Sequence, residues 1–143
     1  MHTNKGLLRV ELYANDFADS FIRLALSGQL NGHLFKYLVP GCLIAGEVEN
    51  PFGVVSHQSV TEKTMHTGIG LFSAPRVTGT VPASSFVVTL SPQPQFDDAC
   101  VVFGRLCDGL DVLKSIQELQ VRENFEFISP LVVERCSLIK NEA

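Results

Sequence analysis

The stretch Phe96-Asp97-Asp98-Ala99-Cys100-Val101-Val102-Phe103-Gly104-Arg105 decides the architecture. Its centre, residues 101–104, joins β-branched and aromatic side chains that suit a pleated, half-buried surface, and it reads as a strand. The preceding run Ser85-Phe86-Val87-Val88-Thr89-Leu90 has the same character. Between them, Ser91 to Gln95 holds two prolines, which cannot donate to a ladder, so that segment is a rigid turn. After the strand, Leu110, Leu113, Ile116 and Leu119 recur as the apolar side of a helix that opens near Asp108.

Towards the N-terminus, Leu8, Val10 and Leu12 alternate with Arg9, Glu11 and Tyr13, the pattern of a half-buried strand. Asp16 then offers a cap, and Phe17, Phe21, Leu24 and Ala25 follow at near-helical spacing until Gly28. Leu34 to Val39 reads as a second strand, stopped by Pro40-Gly41, and Leu43-Ile44-Ala45 as a third. Residues 47 to 65 have weak periodicity and read as an irregular loop, and Pro75 to Ala83 as a surface loop. Gly68 to Phe72 resumes the apolar pattern. Leu131-Val132-Val133 and the alternating Cys136/Leu138 segment close the chain. Seven or eight short strands and two helices, without repeat or linker, predict a mainly β barrel or sandwich in one domain, residues 1–143.

Composition excludes several function classes. Apolar residues make up 45% and charged residues 18%, which supplies a core and argues against disorder. The net charge is −4 and the basic residues are scattered singly, so direct nucleic-acid binding finds no support. No apolar run reaches the roughly 18 residues of a membrane helix, and the first fifteen residues lack a secretory apolar region. Cys42, Cys100, Cys107 and Cys136 show neither CxxC spacing nor histidine partners at zinc intervals, and His2, His33 and His57 share no metal spacing. No metal or cofactor is expected. Cys107 and Cys136 sit among aliphatics and read as small buried hydrophobes; unpaired thiols point to a reducing compartment, cytosol or nucleus.

Six segments in order resemble the cyclophilin family. Gly6-x-x-Arg9-Val10-Glu11-Leu12-Tyr13 is similar to the first strand of its short members, and Phe35-x-x-x-Val39-Pro40-Gly41 to the family's FHRxIPGF. His66-x-Gly68-x-Gly70-x-x-Ser73 resembles HTGxGxLSMA, Ser84-x-Phe86 resembles GSQFF, and Phe96-Asp97 with Val101 to Arg105 resembles LDGxHVVFGRV. Gly109-x-Asp111-Val112-Leu113 resembles the helix that follows. The resemblance implies a closed eight-stranded antiparallel barrel capped by two helices. It also implies a groove that twists X-Pro bonds, whose resonance barrier is about 18–20 kcal/mol.

In that family an arginine donates toward the prolyl nitrogen, amides hold the flanking backbone, and apolar side chains form a slot for the ring. Carried onto this chain, the arginine position falls on Tyr37, the first slot phenylalanine on Cys42 and the glutamine near it on Ala45. The GSQFF glutamine falls on Ser85 and its second phenylalanine on Val87. The tryptophan position is Gln95 and the histidine Cys100. Leu43 and Phe96 keep the apolar type of the slot's methionine and leucine. No catalytic residue is therefore assigned, and Leu43, Val87, Phe96 and Arg76 are the expected substrate-binding set. Lys36 adjoins Tyr37, but strand neighbours point to opposite faces; Arg76, on the bordering loop, is the candidate surrogate cation. The missing indole at Gln95 implies poor binding of cyclosporin-type ligands.

Three functions follow from these positions. The first is a catalytically degenerate barrel that binds a protein or peptide within a larger assembly, itself monomeric. The second is a weak prolyl isomerase working through the apolar slot alone. The third is a thiol function at Cys42 and Cys100, which finds no nearby cation to lower a thiol pKa.

Overall fold

The structure, a computed structural model, describes residues 1–13, 16–28, 30–32, 34–46, 54–56, 65–75, 80–82, 86–97 and 100–139. In chain order the elements are β1 (His2–Thr3), β2 (Gly6–Leu7), β3 (Arg9–Leu12), α1 (Asp16–Ser27), β4 (Leu34–Val39), β5 (Leu43–Gly46), β6 (Val54–Ser56), β7 (Leu71–Pro75), β8 (Thr80–Pro82), β9 (Val87–Thr89), β10 (Cys100–Asp108), α2 (Leu110–Gln117) and β11 (Glu126–Arg135). Pro94–Phe96 forms one 3-10 turn. The fold is mainly β with two short helices, as the sequence predicts.

Nine strands form one antiparallel sheet in the order β2-β1-β11-β4-β5-β9-β7-β10-β3, and β6 pairs with β8 separately. The strand count among the described residues exceeds the expected eight, because two-residue pairings carry no periodic signal. The predicted strand Leu7–Tyr13 is interrupted at Leu8, whose N–H donates to Met1 and so belongs to a different ladder from β3. The loops expected at 47–65 and 75–83 are each crossed by a strand, β6 and β8, which stabilise one another across the ladder. Cys136 to Ile139, expected as an alternating strand, lies beyond β11.

Phe35, Leu38, Ile44, Phe72, Val88, Val101 and Phe103 are fully or almost fully buried and form the inner face of the sheet. Phe17, Phe21 and Leu24 of α1 close over it as their spacing predicts, joined by Ala18, while Ala25 is only partly buried against the core. Phe21 meets the rings of Phe86 and Phe103 at 5.4 and 5.3 Å, within the range where aromatic edges and faces attract. The helix ends where Gly28 adopts φ 78 and its N–H bonds Ala25 O, a left-handed cap that glycine adopts without a Cβ penalty. The proposed Asp16 cap concerns a side chain outside the described residues.

Helix α2 departs in detail. Gly109, φ 105, occupies its N-terminal cap without a side-chain cap, and Asp108 instead accepts from Gly109 N–H at 2.9 Å. Leu113 and Ile116 are buried but Leu110 is exposed, because a strict three-residue spacing drifts around a 3.6-residue helix.

Candidate functional site

Cross-strand register builds the site. Tyr37 pairs with Ala45, Ala45 with Val87, and Val87 with Ser73. The adjacent row, Leu38–Ile44–Val88–Phe72, is fully buried. Alternation along the strands therefore turns half-buried Tyr37, Ala45 and Val87 to the outer face, while Ser73 at the end of the row is buried. Leu43 lies one row along, between Val39 and Thr89. The exposed part of the row offers a phenol, a methyl and an isopropyl group; none of the three carries a cation.

The tyrosine reaches this face through a bulge. Phe35 opposes Gly46 while Tyr37 opposes Ala45, so Lys36 is an extra residue on β4. The alternation rule used for Lys36 does not carry across a bulge, and its side chain lies outside the described residues.

The segment 91–97 is tied to the turn between β4 and β5. Cys42 follows the Pro40-Gly41 turn, its N–H bonds Val39 O, and its Sγ donates to Gln93 Oε1 at 3.2 Å. The Gln93 amide donates to Ser91 Oγ and Cys42 O, and Ser91 Oγ donates to Gly41 O at 2.7 Å. Gln95, the residue expected at the family's tryptophan position, also donates one N–H of its amide to Gln93 Oε1. Gln93 is buried and its backbone N–H bonds His66 O. The expected rigid turn at Pro92–Gln95 is thus a strap between the β4–β5 turn and His66.

His66, Ser73 and Asp97 form a buried relay. Asp97 Oδ1 accepts from the His66 backbone N–H at 2.7 Å and lies 3.0 Å from ring Nδ1. The acceptor-only carboxylate requires the proton on Nδ1, and Nε2 shares a hydrogen bond of 2.7 Å with Ser73 Oγ. The array has the order of a hydrolytic triad, but Ser73 is 0% exposed, so no substrate carbonyl reaches its oxygen. It is a brace. Phe96 stands edge-on to the His66 ring at 6.0 Å between centroids, and its N–H bonds Gln93 O. The brace therefore packs against Phe96, the residue expected in the slot.

The structure brings together Tyr37, Ala45, Val87 and Leu43 by register, and Cys42 and Phe96 through the strap. Cys100 starts β10 opposite Pro75, and no bond links it to Cys42 among those the structure gives. Ser85 and Arg76 lie outside the described residues. None of the four cysteines is in a disulfide. Cys107 is exposed, not buried, and donates to Arg9 O at 3.3 Å, because the register slips between Leu106 and Asp108 and turns it outward. Half-buried Cys136 has its thiol pKa raised by burial, with the N-terminal amine opposing. Sequence reasoning missed Gln93, Thr89 and Ser73 as bonding centres. Thr89 Oγ1 donates to Gly68 O and accepts from Leu71 N–H, a role that a polar residue in an apolar strand can signal.

The description "Cyclophilin type peptidyl-prolyl cis-trans isomerase/CLD" matches residues 1–138. Among curated relatives, the peptidyl-prolyl cis-trans isomerase CYP18-2 of Arabidopsis thaliana is 27% identical over 131 residues, covering 84% of this chain and 80% of that one. The isomerase ppi1 of Schizosaccharomyces pombe is 26% identical over 144 residues, covering 93% of each. A Cryptosporidium parvum cyclophilin-type isomerase, solved in the presence of the dipeptide Ala-Pro, superposes with a TM-score of 0.80 at 21% identity, covering 99% of this chain and 98% of that one. With its sheet, its glycine and aromatic framework and a family match across almost its whole length, this chain belongs to the cyclophilin-type peptidyl-prolyl cis-trans isomerase family.

Proposed function

We propose that this chain is a catalytically degenerate cyclophilin that holds a protein or peptide as one subunit of a larger assembly. The observation that carries the reading is the outer row Tyr37–Ala45–Val87. Family resemblance places the arginine, the amide and one aromatic wall at these three positions, and here they are a phenol, a methyl and an isopropyl group. Charge-assisted hydrogen bonds are roughly twice as strong as neutral ones, so the phenol does not replace the cation's stabilisation of the twisted bond. Leu43 and Phe96 retain an apolar surface that fits a proline ring without turning it over.

A closed eight-stranded barrel goes with this reading. It is supported by β2 and β3, the two ends of the sheet order, being consecutive parts of one run separated only by Leu8. Four cysteines outside any disulfide support a reducing compartment, cytosol or nucleus. The partner is a protein, with neither nucleic acid nor membrane required.

The second reading, a weak isomerase, is favoured by the relatives' names and by the braced Phe96. Exchange NMR on an Ala-Pro-Phe peptide separates the two. Absent cis/trans cross-peaks with catalytic protein support the binding module, and cross-peaks abolished by Phe96→Ala support the enzyme.

A further inference from the structure

Residues 121–127 form a tight hairpin that leads into β11. Val121 bridges Phe127, Arg122 N–H donates to Glu126 O at 2.8 Å, and Phe125 N–H donates to Arg122 O at 2.9 Å. Residues 123–125 make the loop. The last residue of such a loop is left-handed, and glycine suits it best. Here it is Phe125, with φ 69, and among the described residues no other non-glycine has a positive φ. A bulky side chain at that φ is strained, and strain of this kind gathers at functional sites. Core burial does not offset it, because Phe125 is 46% exposed.

Register sets Phe125 beside the groove. Glu126 pairs with Tyr37, and directly opposed residues share a face, so Glu126 extends the outer row on the β11 side. Phe125 O accepts from Leu38 N–H at 2.9 Å. Leu38 lies between Tyr37, opposite Ala45, and Val39, opposite Leu43, so Phe125 borders the row on the side of Leu43. Only β4 separates β11 from β5. Two strand spacings are about 10 Å, the length of roughly three extended residues. The neighbouring Arg122, Glu123 and Asn124 are exposed. An exposed aromatic among polar residues of both charges has the composition of an interface hot spot and its rim.

We propose, resting on the reading that the groove holds a peptide, that Phe125 is its specificity-determining residue. It selects a partner segment that carries an aromatic side chain three residues from the proline seated at Leu43 and Phe96. The spacing follows from the two strand intervals between Phe125 and Leu43. An aromatic occupant follows from the ring itself, because paired aromatic rings attract beyond what burial of their area gives. The hairpin fixes the backbone under the ring before the segment arrives, which lowers the ordering cost of binding. A glycine would hold the same turn without strain, so the turn alone does not account for a phenylalanine here.

The test is an NMR titration of the whole, isotope-labelled protein with acetyl-Ala-Ala-Ala-Pro-Ala-Ala-Ala-amide and its two variants carrying phenylalanine first or last. One phenylalanine peptide binds about fivefold tighter than the parent, and the end that carries the gain gives the direction of the segment. Phe125→Gly removes the gain and leaves the affinity for the parent unchanged, while Phe125→Tyr keeps it. Because glycine adopts φ 69 freely, the Phe125→Gly protein melts at the same temperature or higher. Equal affinity for all three peptides, a gain that survives Phe125→Gly, or a lower melting temperature in that variant would overturn the proposal. Binding of none of the peptides would overturn it together with the groove's role. A preference lost in Phe125→Gly but accompanied by cis/trans cross-peaks would support it while removing the inactive reading. Shifts at Phe125 that grow with protein concentration alone would assign the ring to a second copy and overturn it likewise.

Discussion

Tyr37 and Ala45 are direct partners across the β4–β5 ladder, both half-buried on the face opposite the core. The pair puts a neutral donor beside a group that donates nothing, at positions where family resemblance expects a cation and an amide. Restoring both, as Tyr37→Arg with Ala45→Gln, is expected to raise catalysed exchange of an Ala-Pro-Phe peptide by about tenfold or more, the equivalent of roughly 1.4 kcal/mol of barrier. Exchange NMR reads this, and an unchanged rate in a folded double variant would show that these positions are not what limits the site.

The His66 brace is structural, and its loss should appear in stability. His66→Ala leaves the Asp97 carboxylate and the Ser73 hydroxyl without their shared buried partner, at a cost of about 2–3 kcal/mol. Urea unfolding checks this. Ser73→Ala, which removes only one end, should cost less than His66→Ala, and the reverse order would contradict the brace.

Two left-handed glycines differ in their surroundings. A Cβ on Gly109, φ 105, would lie 2.5 Å from Leu7 O and 3.2 Å from Leu8 Cα, whereas one on Gly41, φ 71, meets nothing within 4 Å. Gly41→Ala is expected to cost about 1–2 kcal/mol, the conformational penalty alone, and Gly109→Ala clearly more. Thermal denaturation of the two variants measures the difference.

Much of this was legible in the sequence because it rests on periodicity. The helix at 16–27, the strand at 34–39 and the strand through Val101-Val102-Phe103 follow from side chains that must be buried on one face. The pairing of Tyr37, Ala45 and Val87 was legible only through family resemblance, since register joins residues that are distant in sequence. The Lys36 bulge was not legible, because one inserted residue changes no composition. The hub at Gln93 was hidden for another reason: a glutamine between two prolines reads as a surface turn, and its burial depends on the β4–β5 turn reaching it from Cys42. Cys107 was misread because aliphatic neighbours in sequence do not fix the side of a slipped strand.

The thiols should differ in reactivity. Burial raises the Cys136 pKa above the ordinary thiol range, while Cys107 is exposed. Iodoacetamide should modify Cys107 first, with Cys136 reacting only at higher pH; mass spectrometry of the alkylated peptides checks the order. The sign for stability follows: a thiol held neutral by the fold stabilises below the unfolded pKa, and this contribution is lost as pH rises through the folded one. Unfolding free energy should therefore fall above about pH 8.5, less steeply in Cys136→Ala.

The most direct test of the central claim is the unmodified protein against an Ala-Pro-Phe peptide in exchange NMR, with the Arabidopsis CYP18-2 relative as the comparison. Uncatalysed prolyl isomerisation takes tens to hundreds of seconds, so even slow turnover produces cis/trans cross-peaks. A degenerate groove predicts none at protein concentrations where the relative gives full exchange. Cross-peaks that disappear in Phe96→Ala would contradict the account and establish an isomerase that works through its apolar slot.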